Sequence, residues 1–267
     1  MTYSLVDIGA NLAHNSFDDD RDAVMQRAAD AGVARMIVTG SSDDSNVQAA
    51  ALAEANAGVL FSTAGVHPHH ASDYTGESDA LNRTLVGNNG VVAVGECGLD
   101  YFRNFSPREA QLDAFQRQLA IAKETGMPVF LHQRDAHDDF VEILEPALQD
   151  ISRAVAHCFT GEHESLREFL ALGLYIGITG WICDERRGKH LHDIVEIIPD
   201  DKLLIETDAP YLMPRTIQPK PKTRRNEPAY LPEVLQVVAE ARGQSVDHVA
   251  RTTTENATRF FSLPPLE

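Results

Sequence analysis

Eight short β-rich runs recur along nearly the whole chain, and segments of helical periodicity lie between them. In order they are SLVDIGANL, ARMIVTGS, VLFSTAGVH, VVAVGECGLD, PVFLHQRD, RAVAHCFTG, LYIGITGW and KLLIETDAP. This alternation predicts a parallel sheet covered by helices. The intervening segments DDDRDAVMQRAADAG, SPREAQLDAFQRQLAIAKETG and EHESLREFLALG each close on the Gly of a helix C-cap, and Asp18 or Ser106-Pro107 supplies a start signal. Eight strand-helix units in 267 residues predict an α/β fold, one TIM (β/α)8 barrel spanning residues 1–267 as a single domain. A doubly wound open sheet is the runner-up, but no G-x-G-x-x-G opens a helix after the first strand. From Tyr230 onward, LPEVLQVVAEARG and SVDHVARTTTENATRFF predict two extra C-terminal helices.

No apolar run approaches the roughly 18 to 20 residues of a membrane span, and MTYSLVDIGANL lacks a basic leader region. The expectation is a cytoplasmic protein without membrane attachment. Cys97, Cys158 and Cys183 are odd in number and form no C-x-x-C, which fits reduced, buried thiols. A net charge of −17 argues against broad electrostatic binding to nucleic acid. One segment, MPRTIQPKPKTRRNEP, gathers Arg215, Lys220, Lys222, Arg224 and Arg225 before its first acid. It is either a solvated, proline-stiffened loop or local help for a polyanion.

In a barrel, catalytic groups stand at the C-terminal ends of strands. Here the first run ends near Asp7 and Asn11, the third in His67-Pro-His69-His70, and the fourth in Glu96 and Asp100. The fifth ends in His132, Arg134 and Asp135, the sixth in His157, and the eighth in Glu206 and Asp208. A lone histidine after an apolar run is usually a hydrogen-bonded rim residue. Several imidazoles and carboxylates around one mouth repel and desolvate one another, and a divalent cation removes that cost. The set is nitrogen and oxygen without thiolate, which suits Mg2+, Mn2+ or Zn2+. Two-residue alternation turns Cys97 and Cys158 away from Glu96 and His157, and sends Glu206 and Asp208 to one side. His67 and His69 face alike by the same rule unless Pro68 turns the chain. Arg186 and Arg187 follow the seventh run, in the region where this fold usually binds phosphate. Their alternative is a salt bridge with Asp184 or Glu185.

STAGVHPH, GECGLDY, PVFLHQRDAH, AHCFTG, GITGWICDERRG, LLIETDAPYL and RRNEPAYLP together resemble the TatD family of metal-dependent deoxyribonucleases, in the family's order from residue 62 to 232. The resemblance implies a metal-dependent hydrolase, a Mg2+-dependent 3′-5′ exonuclease acting on single-stranded DNA or RNA ends, with a role in repair or clearance of damaged DNA. It implies metal ligation by Glu96, His132 and His157, with active-site roles for His67, Glu206 and Asp208. Where many members open with D-x-H-x-H, this chain has Asp7-Ile8-Gly9-Ala10-Asn11. Asn11 is no equal substitute for an imidazole, so the expectation is one firmly held ion, or a second that arrives with substrate.

The expected mechanism gives Glu96, His132 and His157 to a Mg2+ or Mn2+ ion, with Asp208 as a further ligand or, with Glu206, as the base. His67 stabilises the phosphate or protonates the leaving oxygen. Arg186, Arg224, Arg225 and Asn11 position the substrate. The alternative enzyme is a metal-dependent amidohydrolase or phosphotriesterase acting on a small molecule. A non-catalytic scaffold barrel is a third reading, and its mark would be lost ligands. No heptads or apolar patch call for a protein partner, so a monomer is expected.

Overall fold

A computed structural model describes residues 4–265. Its strands are β1 (Leu5–Ala10), β2 (Val33–Val38), β3 (Leu60–Ala64), β4 (Val91–Asp100), β5 (Val129–Arg134), β6 (Ala154–Ala156), β7 (Tyr175–Ile178) and β8 (Leu203–Ile205). They form one eight-stranded sheet in the order β1 to β8, with parallel pairing wherever helices intervene, and a parallel bridge between Ala10 and Ala209 joins the far ends. This is the TIM (β/α)8 barrel. Parallel strands are covered on both faces, which explains why β1, β3, β4, β6, β7 and β8 are buried along their full lengths. No described helix is long and apolar enough to cross a membrane.

The helices are α1 (Arg21–Asp30), α2 (Asp43–Ala55), α3 (Gly76–Leu85), α4 (Arg108–Thr125), α5 (His137–Ala147), α6 (His163–Ala171), α7 (His190–Ile197), α8 (Leu231–Ala241) and α9 (Val246–Phe260). Two of the start signals behave differently. Pro107 stands at the N-cap of α4 as expected. Asp18 does not begin α1, because residues 15–17 form a short 3-10 turn and the helix opens after Asp20. Asp18 accepts instead from Arg21 at 2.6 Å. Serine caps went unread: Ser42 with Ser45, and Thr75 with Ser78, close reciprocal capping boxes on α2 and α3.

The chain divides into two compact units. One comprises Met1–Ile37, Cys158–Leu170 and Ile176–Glu267. In it β1 and the end of β8 are stitched by Asp208 N–H to Gly9 O at 2.8 Å and Asn11 N–H to Ala209 O at 2.7 Å. The fully buried Asp7 carboxylate sits beneath this seam and accepts from the Thr207 backbone N–H at 2.9 Å, from the Thr207 hydroxyl and from the Gly9 N–H. The extra helices α8 and α9 are present, and Asn256 of α9 donates to Leu203 O at 2.8 Å while Thr254 donates to Ser4 O at 2.9 Å. The tail thereby ties down the starts of both seam strands.

The other unit comprises Val38–His157 and Ala171–Tyr175. Its core includes Phe115 and Phe140, fully buried and stacked at 5.2 Å. Gly95 and Gly98 lie in β4 at φ +135° and +141°, and a Cβ at Gly98 would fall 1.9 Å from His132 O. Only glycine adopts such a backbone so close to a neighbouring strand.

Three outcomes are expected. Gly98→Ala combines a forbidden φ with a backbone clash and should cost about 3 kcal/mol or more in urea unfolding. Gly243→Ala, at φ +61° with nothing within 4 Å, should cost only about 1 to 2 kcal/mol. Burial pushes the Asp7 carboxyl from 3.8 up to about 7, against hydrogen bonds from Thr207 and Gly9 that pull it down. The folded state therefore favours the protonated form. Its contribution is complete below about pH 4 and is lost as pH rises through about 7. Relative to Asp7→Asn, the wild type should lose about 2 to 4 kcal/mol of stability across that window, as read by chemical unfolding at stepped pH.

Candidate metal centre

Glu96 owes its position to an irregularity in β4. Gly95 pairs with Phe130 and Cys97 with Leu131, so Glu96 is an extra residue between two adjacent partners on β5. Such a bulge re-aims a side chain, and the flanking glycines of GECG let the strands stay close around it. The Glu96 backbone N–H donates to Gly40 O at 2.7 Å, which fixes the bulge.

Three imidazoles meet one oxygen of this carboxylate. Glu96 Oε1 lies 2.7 Å from His157 Nε2, 3.1 Å from His132 Nδ1 and 3.3 Å from His67 Nε2. Glu96, His67 and His157 are 7%, 9% and 6% exposed, so water screens the interactions among them only weakly. Burial pushes the Glu96 carboxyl up, and the His157 and His67 rings with hydrogen bonds from His132 and His157 outweigh it, holding the group well below its ordinary 4.5. Burial lowers His132 too, but bonds to Asp100 and Glu96 reverse this and raise it. His67 goes the other way: burial pushes it down to about 4 despite Glu96 nearby.

The hydrogen bonds divide the histidines into two kinds. His67 Nδ1 accepts from the His69 backbone N–H at 3.0 Å, so the neutral ring carries its proton on Nε2, the atom facing Glu96. A protonated nitrogen is a donor and no ligand. His132 presents Nδ1 to Glu96 while its Nε2 lies 3.2 Å from Asp100 Oδ2. A ligating histidine usually has its second nitrogen on a carboxylate in this way. His67, Glu96 and His132 place one donor atom each within 4.8 Å of one another, and the bond at Nδ1 makes the His67 Nε2 a donor rather than a ligand.

Asp100 and two glutamines were not assigned roles from the sequence. Asp100 is 2% exposed, and its Oδ2 also meets His69 Nε2 at 3.0 Å while Oδ1 accepts from the Arg103 N–H at 2.7 Å. Gln111 and Gln118 are fully buried on one face of α4. Gln111 clamps the backbone of Asp100 by N–H at 2.8 Å and C=O at 3.2 Å, and Gln118 clamps Val66, before His67, at 2.7 and 3.0 Å. A buried amide at helical spacing seven apart was the available signal. His67 and His69 do share one side, with rings 4.2 Å apart, but a 3-10 turn at Pro68–Asp73 brings them there and not strand alternation.

In the first unit, β8 ends at Ile205, and Asp208 takes φ +54°, so two-residue alternation does not govern Glu206 and Asp208. Glu206 is fully buried and accepts from the Cys158 N–H at 2.5 Å. Asp208 is half-buried and accepts from Asn11 Nδ2 at 3.0 Å. The thiols are free, with Cys97 and Cys183 buried and Cys158 half-buried. Arg225 is committed elsewhere: it holds Asp20 at 2.8 Å and Glu227 at 2.9 Å and covers the Phe17 ring at 4.9 Å. Those carboxylates raise it further, and Asp20 is pulled down to about 2 chiefly by Arg225. Arg225, expected from the sequence to position substrate, is thus already paired with two carboxylates. Arg187 takes the salt-bridge alternative, with Asp184 at 2.9 Å. Arg186 keeps a side chain 67% exposed, its nearest carboxylates 4.0 Å away, and Arg224 is exposed.

The donor set fits a divalent ion. Ligands held at about 2.1 Å in octahedral geometry lie about 3 Å from one another. The His157 and His132 nitrogens stand 2.7 and 3.1 Å from Glu96 Oε1, close to that spacing. The profile of the TatD related DNases matches residues 6–262. A 3′-5′ ssDNA/RNA exonuclease TatD from Erwinia billingiae is 51% identical over 260 residues, covering 97% of this chain and 100% of that one. Its namesake from Erwinia amylovora is 52% identical over 259 residues, with the same coverage of 97% and 100%. Among solved structures, YJJV, a TatD homologue from Escherichia coli K12, superposes with a TM-score of 0.89 at 31% identity, covering 99% of this chain and all of that one. The chain belongs to the TatD-related DNase family, whose nucleases depend on metal.

Proposed function

We propose that the protein is a divalent-metal-dependent hydrolase of phosphodiester bonds, working as a 3′-5′ exonuclease on the ends of single-stranded DNA or RNA. The observation that carries the chemistry is the meeting of His67, His132 and His157 on one oxygen of Glu96. Relatives at 51% and 52% identity that are named exonucleases support the substrate class and the polarity. Nothing comparable favours an amidohydrolase or phosphotriesterase.

Glu96, His132 and His157 are the proposed ligands, for Mg2+ or Mn2+ as the family resemblance implies, with Zn2+ equally compatible with two imidazoles and a carboxylate. Such an ion supplies Lewis-acid polarisation of a phosphoryl oxygen and a bound water of lowered pKa. Asp100 holds the His132 ring from its far side. His67 offers a neutral Nε2–H that remains a donor at working pH, because burial keeps its pKa near about 4. That donor stabilises the phosphate or the departing oxygen. Asp208 is the proposed acceptor of the water proton, held by Asn11, with Glu206 buried nearby in sequence. Arg186 and Arg224 supply exposed cations for the strand.

With 3′- and 5′-labelled oligonucleotides, Mg2+ or Mn2+ should support stepwise loss of the 3′ label as mononucleotide, and EDTA should stop it. Internal fragments, or turnover of small esters alone, would count against the exonuclease. Asp100→Asn should weaken metal binding or activity by about 10- to 100-fold, and Glu96→Gln by more, both read by metal titration beside kcat/KM. Asp208→Asn should lower kcat by about a hundredfold to ten-thousandfold. An unimpaired Asp208→Asn enzyme would remove that residue from the role.

A further inference from the structure

Phe105, 68% exposed, and Phe102, 54% exposed, are the most exposed large apolar side chains among the described residues. Both lie in the segment between β4 and α4, directly after Asp100. Scattered exposed apolar residues need no explanation. These two are set apart by their contacts. The Phe105 ring meets the His69 imidazole edge-on at 4.7 Å and 62°, and His69 in turn lies 4.2 Å from His67. Phe105 therefore stands two ring contacts from the donor beside Glu96. The Phe102 ring carries the Arg134 guanidinium at 4.0 Å, with Arg103 at 5.8 Å. Arg134 closes β5, two residues after His132.

The segment is also held in place. Ser106, 1% exposed, donates to His69 O at 3.0 Å and accepts from the Ser72 N–H at 3.1 Å. Gln111 adds a bond to Ser106 O at 2.8 Å. The backbone next to Phe105 is thus tied to the 3-10 turn that bears His69, so the exposed ring is presented from a fixed base.

We propose that Phe105 and Phe102 form a base-stacking platform for the nucleotides beside the cleaved bond of a single-stranded substrate. This rests on the nuclease reading of the adjoining centre. A phenyl ring stacks on any nucleobase, so the contact is indifferent to sequence, and it needs a base face that duplex stacking would occupy. Phosphate contacts alone make no such distinction. A chain of net charge −17 also gains little from the polyanion at long range, which leaves stacking and the local cations Arg103 and Arg134 to supply affinity.

The test is fluorescence anisotropy with a labelled single-stranded decamer in EDTA, using wild type, Phe105→Ala, Phe105→Trp and Phe102→Ala, beside steady-state cleavage with Mg2+. Phe105→Ala should raise Kd about tenfold, with a parallel rise in KM, and the factor should persist at high salt. Phe105→Trp should restore binding, and an abasic 3′-terminal nucleotide should erase the difference between wild type and Phe105→Ala. Equal binding by wild type and Phe105→Ala, no binding by the wild type, or no restoration by Trp would overturn the platform. So would a concentration-dependent dimer that Phe105→Ala abolishes while strand binding is unchanged. Wild-type protein that binds through Phe105 yet releases no nucleotide with any divalent ion would sink the nuclease reading and leave the platform standing.

Discussion

A single carboxylate oxygen, Glu96 Oε1, organises the centre. Three imidazoles from the ends of β5 and β6 and from the turn after β3 approach within 3.3 Å of it. A buried carboxylate without such company would take up a proton, and the three imidazoles without it would have no common acceptor. Their mutual dependence makes the group a unit. Its placement hangs on backbone and not on side-chain choice: the bulge at Glu96 exists because Gly95 and Gly98 let β4 run against the carbonyls of Phe130 and His132.

Rigidity around that unit is supplied by polar groups that are themselves buried. Gln118 reads both backbone groups of Val66, and Gln111 both of Asp100, so α4 holds the segments leading to His67 and from β4 with the geometry of a sheet ladder. Asp100 then spends one oxygen on His69 and His132 and the other on a backbone N–H. Each bond adds little net stability by itself, but a missing partner would leave a desolvated group behind. The consequence is positional: His132 and His69 cannot turn without breaking a satisfied network.

The eight strands and the C-terminal helices were legible because apolar runs and helical periodicity are local properties of sequence. His132 and His157 were legible as strand-end residues, since the barrel dictates where chemistry stands, whereas Glu96 sits in a bulge inside β4. What escaped depends on backbone departures that alternation does not describe. Asp208 adopts φ +54° and leaves the strand period, while His67 and His69 are gathered by a 3-10 turn. The pairing of Arg225 was not legible for another reason. A basic segment shows which charges exist, not which are already paired, and Asp20, remote in sequence, joins the neighbouring Glu227 in holding this one. Asp100, Gln111 and Gln118 look in sequence like any polar residue of a strand end or helix, and only burial marks them.

The distribution of paired cations bears on how an acidic barrel can handle a polyanion. Arg27 and Arg225 are shared among Asp20 and Glu227, Arg187 is held by Asp184, and Arg215 by Glu185 at 3.2 Å. Several of the basic groups thus serve the fold, while Arg186 and Arg224 stand exposed together with Lys220, Lys222 and Arg103. Affinity for nucleic acid scales with the number of phosphates neutralised, so each cation tied up in the fold shortens the footprint and weakens the dependence on salt. A short footprint suits an enzyme that engages the end of a strand. It also shifts discrimination from the backbone, which every nucleic acid shares, to the base at that end, where an unpaired face distinguishes a single strand from a duplex.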